Sequence, residues 1–159
     1  MYAFAIDTAD KPALYRDLLG AMDALTSSEP DPVANMANAA ALMWQYLPDL
    51  NWAGFYRRIG VELVLGPFMG KPACIRIPVG QGVCGTAAAT RTTQLVADVH
   101  AFPGHIACDA DSASELVVPV VREGVLIAVI DLDSPRTARF DATDAAGVEA
   151  LAALLATRL

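Results

Sequence analysis

One polar segment of the chain concentrates side chains that could act as nucleophiles, acids or metal ligands. It covers residues 98–115 and contains both histidines, His100 and His105, together with Cys108 and several carboxylates. Its glycine and proline residues predict a loop between two apolar strands, and it is longer than most connections in compact domains. Long ordered loops of this kind usually carry function. We therefore expect an active-site loop here.

Cys108 is the candidate nucleophile of this loop. The neighbouring Asp109 and Asp111 would by themselves raise the pKa of a thiol above its usual value of about 8.5. A reactive thiolate would therefore need help from His105, a helix end or the substrate. The alternative is a buried inert thiol, which is the commoner state of a free cysteine, although the polar surroundings fit an apolar core poorly.

The two histidines and the cysteine also raise the question of a metal. Their spacing, His-x4-His-x2-Cys, supplies at most three ligands, and no CxxC or HExxH motif accompanies them. We predict no metal site and expect the histidines to order the loop through hydrogen bonds.

A pair of carboxylates ends the most apolar strand of the sequence. Asp131 and Asp133 are separated by one residue, so both side chains should project from the same face of the sheet. Two such acids can bind an ammonium group, and their repulsion can keep one protonated as a general acid. Glu115, at the start of the adjacent strand, could join them. Solvated acids at the rim of a sheet are the alternative.

Gly80-x-Gly82-x-x-Gly85 matches the dinucleotide-binding fingerprint only weakly. The predicted helix after it is short, and Asp98 comes too early for the acid that this motif requires. We interpret the glycines as a sharp turn whose exposed amides would suit a carboxylate.

Composition limits the class of protein. The 159 residues fit one domain, 1–159, and the net charge of −7 without a basic cluster argues against nucleic acid as a partner. The longest aliphatic run, 125–130, is too short to cross a membrane. The N-terminal residues lack the features of a secretory signal, so we expect a cytoplasmic protein with reduced cysteines.

Hydrophobic periodicity predicts an α+β fold. Two helices occupy residues 1–48, the second capped by Asp31 with an apolar face of Val33, Met36, Ala37, Ala40, Ala41, Trp44 and Leu47. Strands are predicted at 51–59, 61–68, 74–78, 93–97, 115–122 and 125–133, with a short helix ending at Thr90 and a last helix capped by Asp141. The hairpins predict a mainly antiparallel sheet.

Several segments, in order and at matching spacing over nearly the whole chain, resemble the free methionine-(R)-sulfoxide reductases, which are built on a GAF domain. They are Asn51-Trp-Ala-Gly-Phe-Tyr56, Leu65-Gly-Pro-Phe-Met-Gly-Lys-Pro-Ala-Cys-Ile-Arg-Ile-Pro78, Gly82-Val-Cys-Gly-Thr86, Asp98-Val-His-Ala-Phe-Pro-Gly-His-Ile-Ala-Cys-Asp109, Ser114-Glu115 and Ile130-Asp-Leu-Asp-Ser-Pro135. The resemblance implies a GAF-like, six-stranded, mainly antiparallel sheet flanked by helices.

The resemblance also implies roles for individual residues. Cys108 would be the catalytic thiol that becomes a sulfenic acid, Cys74 the resolving partner in a disulfide, and Cys84 an auxiliary cysteine. The implied pocket residues are Glu115, Asp131, Asp133, Trp52 and Tyr56. No cofactor is implied, because the cysteines carry the redox chemistry.

The expected reaction follows from these roles. The Cys108 thiolate would attack the sulfur of free methionine-(R)-sulfoxide while Glu115 or Asp133 supplies a proton, and a thioredoxin-like donor would reduce the resulting Cys74–Cys108 disulfide. Two alternatives stay open: a GAF sensor that binds a small ligand without turnover, and a thiol peroxidase. The oligomeric state is not fixed by the sequence, and a homodimer remains among the options.

Overall fold

The computed structural model describes residues 3–104 and 110–159. Its elements, in chain order, are α1 (Lys11–Thr26), α2 (Pro32–Tyr46), β1 (Trp52–Ile59), β2 (Glu62–Gly70), β3 (Arg76–Pro78), α3 (Gly82–Thr90), β4 (Gln94–Val96), a 3-10 turn (Val99–Ala101), β5 (Ser114–Arg122), β6 (Val125–Ser134) and α4 (Ala142–Leu155). The predicted α+β class is confirmed, and among the described residues the sequence reasoning missed only the 3-10 turn.

The six strands form one antiparallel sheet with the order β3-β2-β1-β6-β5-β4. The most apolar strand, β6, lies next to β1 in the middle, where both of its edges are hydrogen-bonded. Burial on both sides explains why this strand reads as an almost continuous apolar run.

Each face of the sheet has its own apolar cluster. Helices α1, α2 and α4 cover one face, and the large cluster there includes Leu18, Met22, Met43, Phe55 and Leu151. The other face carries α3, and a smaller cluster there includes Trp52, Tyr56, Cys84 and Val117. The smaller cluster matters for function because it adjoins the acids of β5 and β6.

The predicted buried face of α2 is partly wrong. Met36 and Ala40 are buried as expected, but Val33 is 48% exposed and Trp44 is 36% exposed. Asn35, Ala39, Leu42 and Met43 are buried instead. Apolar residues occur all around this helix, so periodicity alone does not identify the side that meets the sheet.

The glycine-rich turn before α3 packs closely against β3. The Gly80 amide donates to the Gly85 carbonyl at 2.8 Å, and the Gln81 amide donates to the Pro78 carbonyl at 3.1 Å. A Cβ on Gly85 would lie 2.5 Å from the Pro78 carbonyl oxygen. The Gly80 and Gln81 amides are therefore occupied, and the glycines let α3 approach β3 closely. Whether the other amides of this turn suit a carboxylate stays a prediction.

Within residues 3–104 and 110–159, no helix has the length and hydropathy needed to cross a membrane.

Candidate active site

Three carboxylates meet on the α3 face of the sheet. Asp131 and Asp133 lie on β6, and Glu115 on β5 pairs directly with Asp133. Paired residues of antiparallel strands point to the same side, as do residues two apart. The predicted shared face of Asp131 and Asp133 is confirmed, and Glu115 lies on it as well.

Cys84 completes this group from the opposite layer. It lies in the first turns of α3, is buried, and is a free thiol. Its Sγ is 4.0 Å from Oε1 of Glu115, and one ligand atom from each of Cys84, Glu115 and Asp131 lies within 4.8 Å of the others. No sequence signal pointed to this contact, because it depends on how α3 packs across the sheet.

Burial shifts the protonation of all three groups. Burial raises the pKa of Glu115 well above its usual range, and the negative charges of Asp131 and Asp133 add to this effect. Burial raises the pKa of Asp131 to about 6, although interactions with Cys84 and Glu115 partly offset the effect. Burial and the neighbouring carboxylates also raise the pKa of the Cys84 thiol. These shifts favour the protonated Glu115 carboxyl and the neutral Cys84 thiol.

Aromatic rings form a wall beside the acids. The rings of Trp52 and Tyr56 stack at 5.8 Å between centroids, and Phe68 stacks on Trp52 at 5.2 Å. Trp52 and Tyr56 are the predicted pocket aromatics, whereas sequence reasoning missed Phe68. Burial and the nearby acids raise the pKa of Tyr56 as well, so its hydroxyl stays protonated.

A cavity of about 20 Å³ separates the wall from the acids. It is lined by Trp52, Tyr56, Lys71, Pro72, Ala73, Asp131 and Asp133. This volume holds about one water-sized group. Lys71, Pro72 and Ala73 form one side of the cavity, and a substrate of amino-acid size needs more room than it offers.

Cys74 follows Ala73 directly, between β2 and β3. It is half-buried, packs against the smaller apolar cluster, and is disulfide-bonded. Cys108 and His105, which the sequence singles out, lie outside the described residues. The catalytic role predicted for Cys108 therefore stays a prediction.

Two contacts connect the β2–β3 segment and the residue preceding β1 to the predicted active-site loop. Nζ of Lys71 lies 2.5 Å from Oδ2 of Asp111, and Nδ2 of Asn51 donates to Oγ of Ser112 at 3.0 Å. Lys71 also accepts a hydrogen bond at its carbonyl from the Trp52 indole, at 3.2 Å. These contacts hold the described end of the loop close to the aromatic wall.

His100 lies in the 3-10 turn and is exposed, and its backbone amide donates to Asp98 at 2.9 Å. Since His105 and Cys108 are outside the described residues, the expectation that no metal is held by the histidines stays a prediction.

Comparison with known proteins identifies relatives of this arrangement. The family model "GAF domain" matches residues 13–159. A protein of Escherichia coli named free methionine-R-sulfoxide reductase is 49% identical over 146 residues, which cover 92% of this chain and 88% of that protein. A yeast protein of the same name, from Saccharomyces cerevisiae, is 43% identical over 92% of this chain and 86% of its own length.

A solved structure extends the comparison. The free methionine-R-sulfoxide reductase of Neisseria meningitidis, in complex with its substrate, superposes with a TM-score of 0.95 at 46% identity. The match covers 99% of this chain and 95% of that one. The similarity therefore covers the complete sheet together with its helices.

Proposed function

The chain belongs to the GAF domain family and, within it, to the free methionine-R-sulfoxide reductases, and on that premise we propose that it reduces free L-methionine-(R)-sulfoxide to L-methionine. The observation that carries the proposal is the buried group of Glu115, Asp131 and Cys84 beside a stacked aromatic wall. This site combines an apolar surface for the side chain of the substrate with acids for its polar ends.

Asp131 and Asp133 are suited to bind the ammonium group of the substrate. Asp131 carries a negative charge above a pH of about 6, and both residues line the cavity. A charge-assisted hydrogen bond contributes about 1.5–3 kcal/mol. A methionine sulfoxide within a peptide has no ammonium group at this point, so these acids favour the free amino acid.

Glu115 is suited to donate the proton. Its raised pKa favours the protonated carboxyl, which is the state that a general acid requires. Between the two acids considered from the sequence, burial favours Glu115, because Asp133 is only half-buried.

The thiol steps follow from the roles that the family resemblance implies. The Cys108 thiolate forms a bond to the sulfoxide sulfur while Glu115 protonates the oxygen, and the oxygen then passes to Cys108 as methionine departs. The products are methionine and a Cys108 sulfenic acid. The Cys74 thiol attacks that sulfenic acid, releasing water and forming the disulfide. The disulfide bond at Cys74 supports this role.

A dithiol donor of the thioredoxin class would then return two electrons and two protons to the disulfide. Cys84, a buried free thiol, takes no part in the disulfide in this scheme. We place the reaction in the cytoplasm, where such donors keep thiols reduced.

Substrate discrimination tests the proposal. Turnover should be measured with free L-methionine-(R)-sulfoxide, its S epimer, the N-acetylated R sulfoxide and hydrogen peroxide, with a dithiol as reductant. We expect the free R sulfoxide to have the highest kcat/KM, and N-acetylation to reduce it by about 10- to 100-fold through loss of the ammonium contact. Faster turnover of hydrogen peroxide would identify a thiol peroxidase instead.

A further inference from the structure

We propose that Cys84, Glu115 and Asp131 also form a binding site for a thiophilic divalent cation of the Zn²⁺ class, which would exclude the substrate and inhibit the enzyme. The ion is an exogenous ligand in this proposal and takes no part in the reaction.

Geometry is the first support. The three ligand atoms lie within 4.8 Å of one another, and Sγ of Cys84 is 4.0 Å from Oε1 of Glu115. A tetrahedral zinc ion, with bonds of about 2.3 Å to sulfur and about 2.0–2.2 Å to oxygen, places its sulfur and oxygen ligands about 3.5 Å apart. The Cys84 and Glu115 ligand atoms would therefore have to approach by about 0.5 Å, and a pair at the 4.8 Å limit by about 1.3 Å, to bind one ion.

An incompletely bonded acid is the second, independent support. Asp131 is only 6% exposed, and its Oδ1 has no hydrogen-bond partner. Such buried polar atoms are uncommon, because losing water without gaining a partner costs about 1–3 kcal/mol. Asp131 also lines the cavity of about 20 Å³, which Cys84 and Glu115 do not line but which has room for one water molecule bound to the ion. A cation would give Oδ1 the partner that it lacks.

The donor set selects the type of ion. A cysteine sulfur with two carboxylate oxygens suits Zn²⁺ or Cd²⁺, whereas Mg²⁺ and Ca²⁺ prefer oxygen ligands alone. Binding would release the protons held on Cys84 and Glu115, so affinity should increase with pH. The three protein ligands leave a fourth coordination position open.

Inhibition follows from overlap with the substrate site. Asp131 cannot bind the ion and the substrate ammonium at once, and Glu115 cannot donate a proton while it is a ligand. This part of the inference rests on the proposed function, whereas metal binding itself can be measured without turnover. Metal binding at this site and the proposed reductase activity can therefore be disproved independently of each other.

The experiment isolates the Cys84 thiol. A Cys74→Ser/Cys108→Ser double variant retains Cys84 as its only thiol, which removes any site formed by the other two cysteines. Zn²⁺ affinity is measured by competition with a chromogenic chelator, and Cd²⁺ is added to detect the ultraviolet charge-transfer band of a cadmium thiolate. We expect one ion per chain and a cadmium band.

Two further substitutions in this background identify the ligands. Cys84→Ser should abolish the band and weaken Zn²⁺ binding by about tenfold or more, since even the loss of a residue that only supports a ligand costs about 10- to 100-fold. Asp131→Asn should weaken binding by a similar factor while leaving the band, which shows that the fold and thiol are intact. Asp23→Asn, at an exposed acid on α1, is the matched control and should change nothing.

Absence of the band, or Zn²⁺ binding that is equally tight after Cys84→Ser, would overturn the proposal. For the wild-type enzyme, we expect Zn²⁺ inhibition to be competitive with the sulfoxide and to be reversed by a chelator. Inhibition that excess substrate cannot relieve would contradict the overlap of the two sites.

Discussion

The Glu115 carboxyl lies between the strand and helix layers, against a thiol and a second carboxyl, and burial there raises its pKa and favours the protonated form. Strand periodicity predicts that Asp131, Asp133 and Glu115 can share one face. It could not predict Cys84, because a helix can rotate and shift over a sheet without any change in local sequence pattern. The grouping of the three acids on the strands was therefore predictable from the sequence, whereas the contact between these acids and Cys84 on α3 was not.

Replacing Glu115 by Gln should make the protein more stable at pH 8. The raised pKa means that the folded state holds a proton that the unfolded state loses above about pH 4.3, so wild-type stability falls as pH rises towards the folded pKa. Glutamine does not ionise, so the variant has no such loss of stability. We expect a gain of about 1–3 kcal/mol in urea unfolding at pH 8.

The matched measurement is the same pair of proteins at pH 3.5, where Glu115 is neutral in both states. The gain should disappear there. An equal gain at both pH values would show that the effect does not come from ionisation of this carboxyl.

Asp131→Asn should raise KM for the free sulfoxide by about 10- to 100-fold at pH 8, because it removes the charge from a charge-assisted hydrogen bond. For the wild-type enzyme, KM should rise as the pH falls through about 6, where Asp131 takes up its proton. Initial-rate kinetics from pH 5 to 8 check both. If the KM of Asp131→Asn still rises as the pH falls through 6, the titration belongs to another group.

The positions of the helices and strands were predictable because capping residues and hydrophobic periodicity can be recognised within a short stretch of sequence. Asp31 and Asp141 cap α2 and α4 as expected, with Asp141 accepting from the Thr143 and Asp144 amides. The buried side of α2 was not predictable, since Val33 and Trp44 are as apolar as the residues that the sheet actually covers. The short strands β3 and β4 begin and end within a few residues of their predicted limits.

Gly54 determines how closely β1 approaches Phe68 on β2, its partner in the sheet register. A Cβ at position 54 would lie 2.4 Å from the Phe68 Cβ and 2.8 Å from the Pro67 carbonyl oxygen. Gly54→Ala should therefore displace Phe68 from Trp52, destabilise the fold by about 1–3 kcal/mol and weaken substrate binding. Urea unfolding and KM measure the two effects.

Gly20→Ala is the control, because a Cβ there meets nothing within 4 Å and the position is exposed on α1. It should stabilise the protein by about 0.5–1 kcal/mol. If Gly54→Ala and Gly20→Ala changed the free energy of unfolding equally, the close approach at Gly54 would be contradicted.

For the molecule as a whole, a buried network joins the first helix to the last. The carboxylate of Asp144, which is 1% exposed, accepts from the Tyr15 hydroxyl at 2.8 Å, Arg139 at 2.9 Å and Lys11 at 2.6 Å. A Cβ on Gly147 would lie 2.2 Å from the Tyr15 ring, so α1 and α4 meet closely. No local pattern indicates this network, because Tyr15 and Asp144 are 129 positions apart in the chain.

Asp144→Asn should destabilise the fold by about 3–5 kcal/mol, because the nearly buried Arg139 guanidinium would lose its charged partner. Asp23→Asn, which breaks the more exposed pair with Arg158, should cost no more than about 1 kcal/mol. Urea unfolding at pH 7 compares them. Equal costs would contradict a structural role for the buried network.

The most direct test of the proposed reaction is a thiol count on fully reduced protein treated with free L-methionine-(R)-sulfoxide and no reductant. Each chain should consume one sulfoxide, release one methionine and lose two of its three thiols, with mass analysis locating the disulfide at Cys74 and Cys108 and the free thiol at Cys84. Cys108→Ser should lose none. No loss of thiols in the wild-type protein, or equal turnover by Cys108→Ser, would contradict the mechanism.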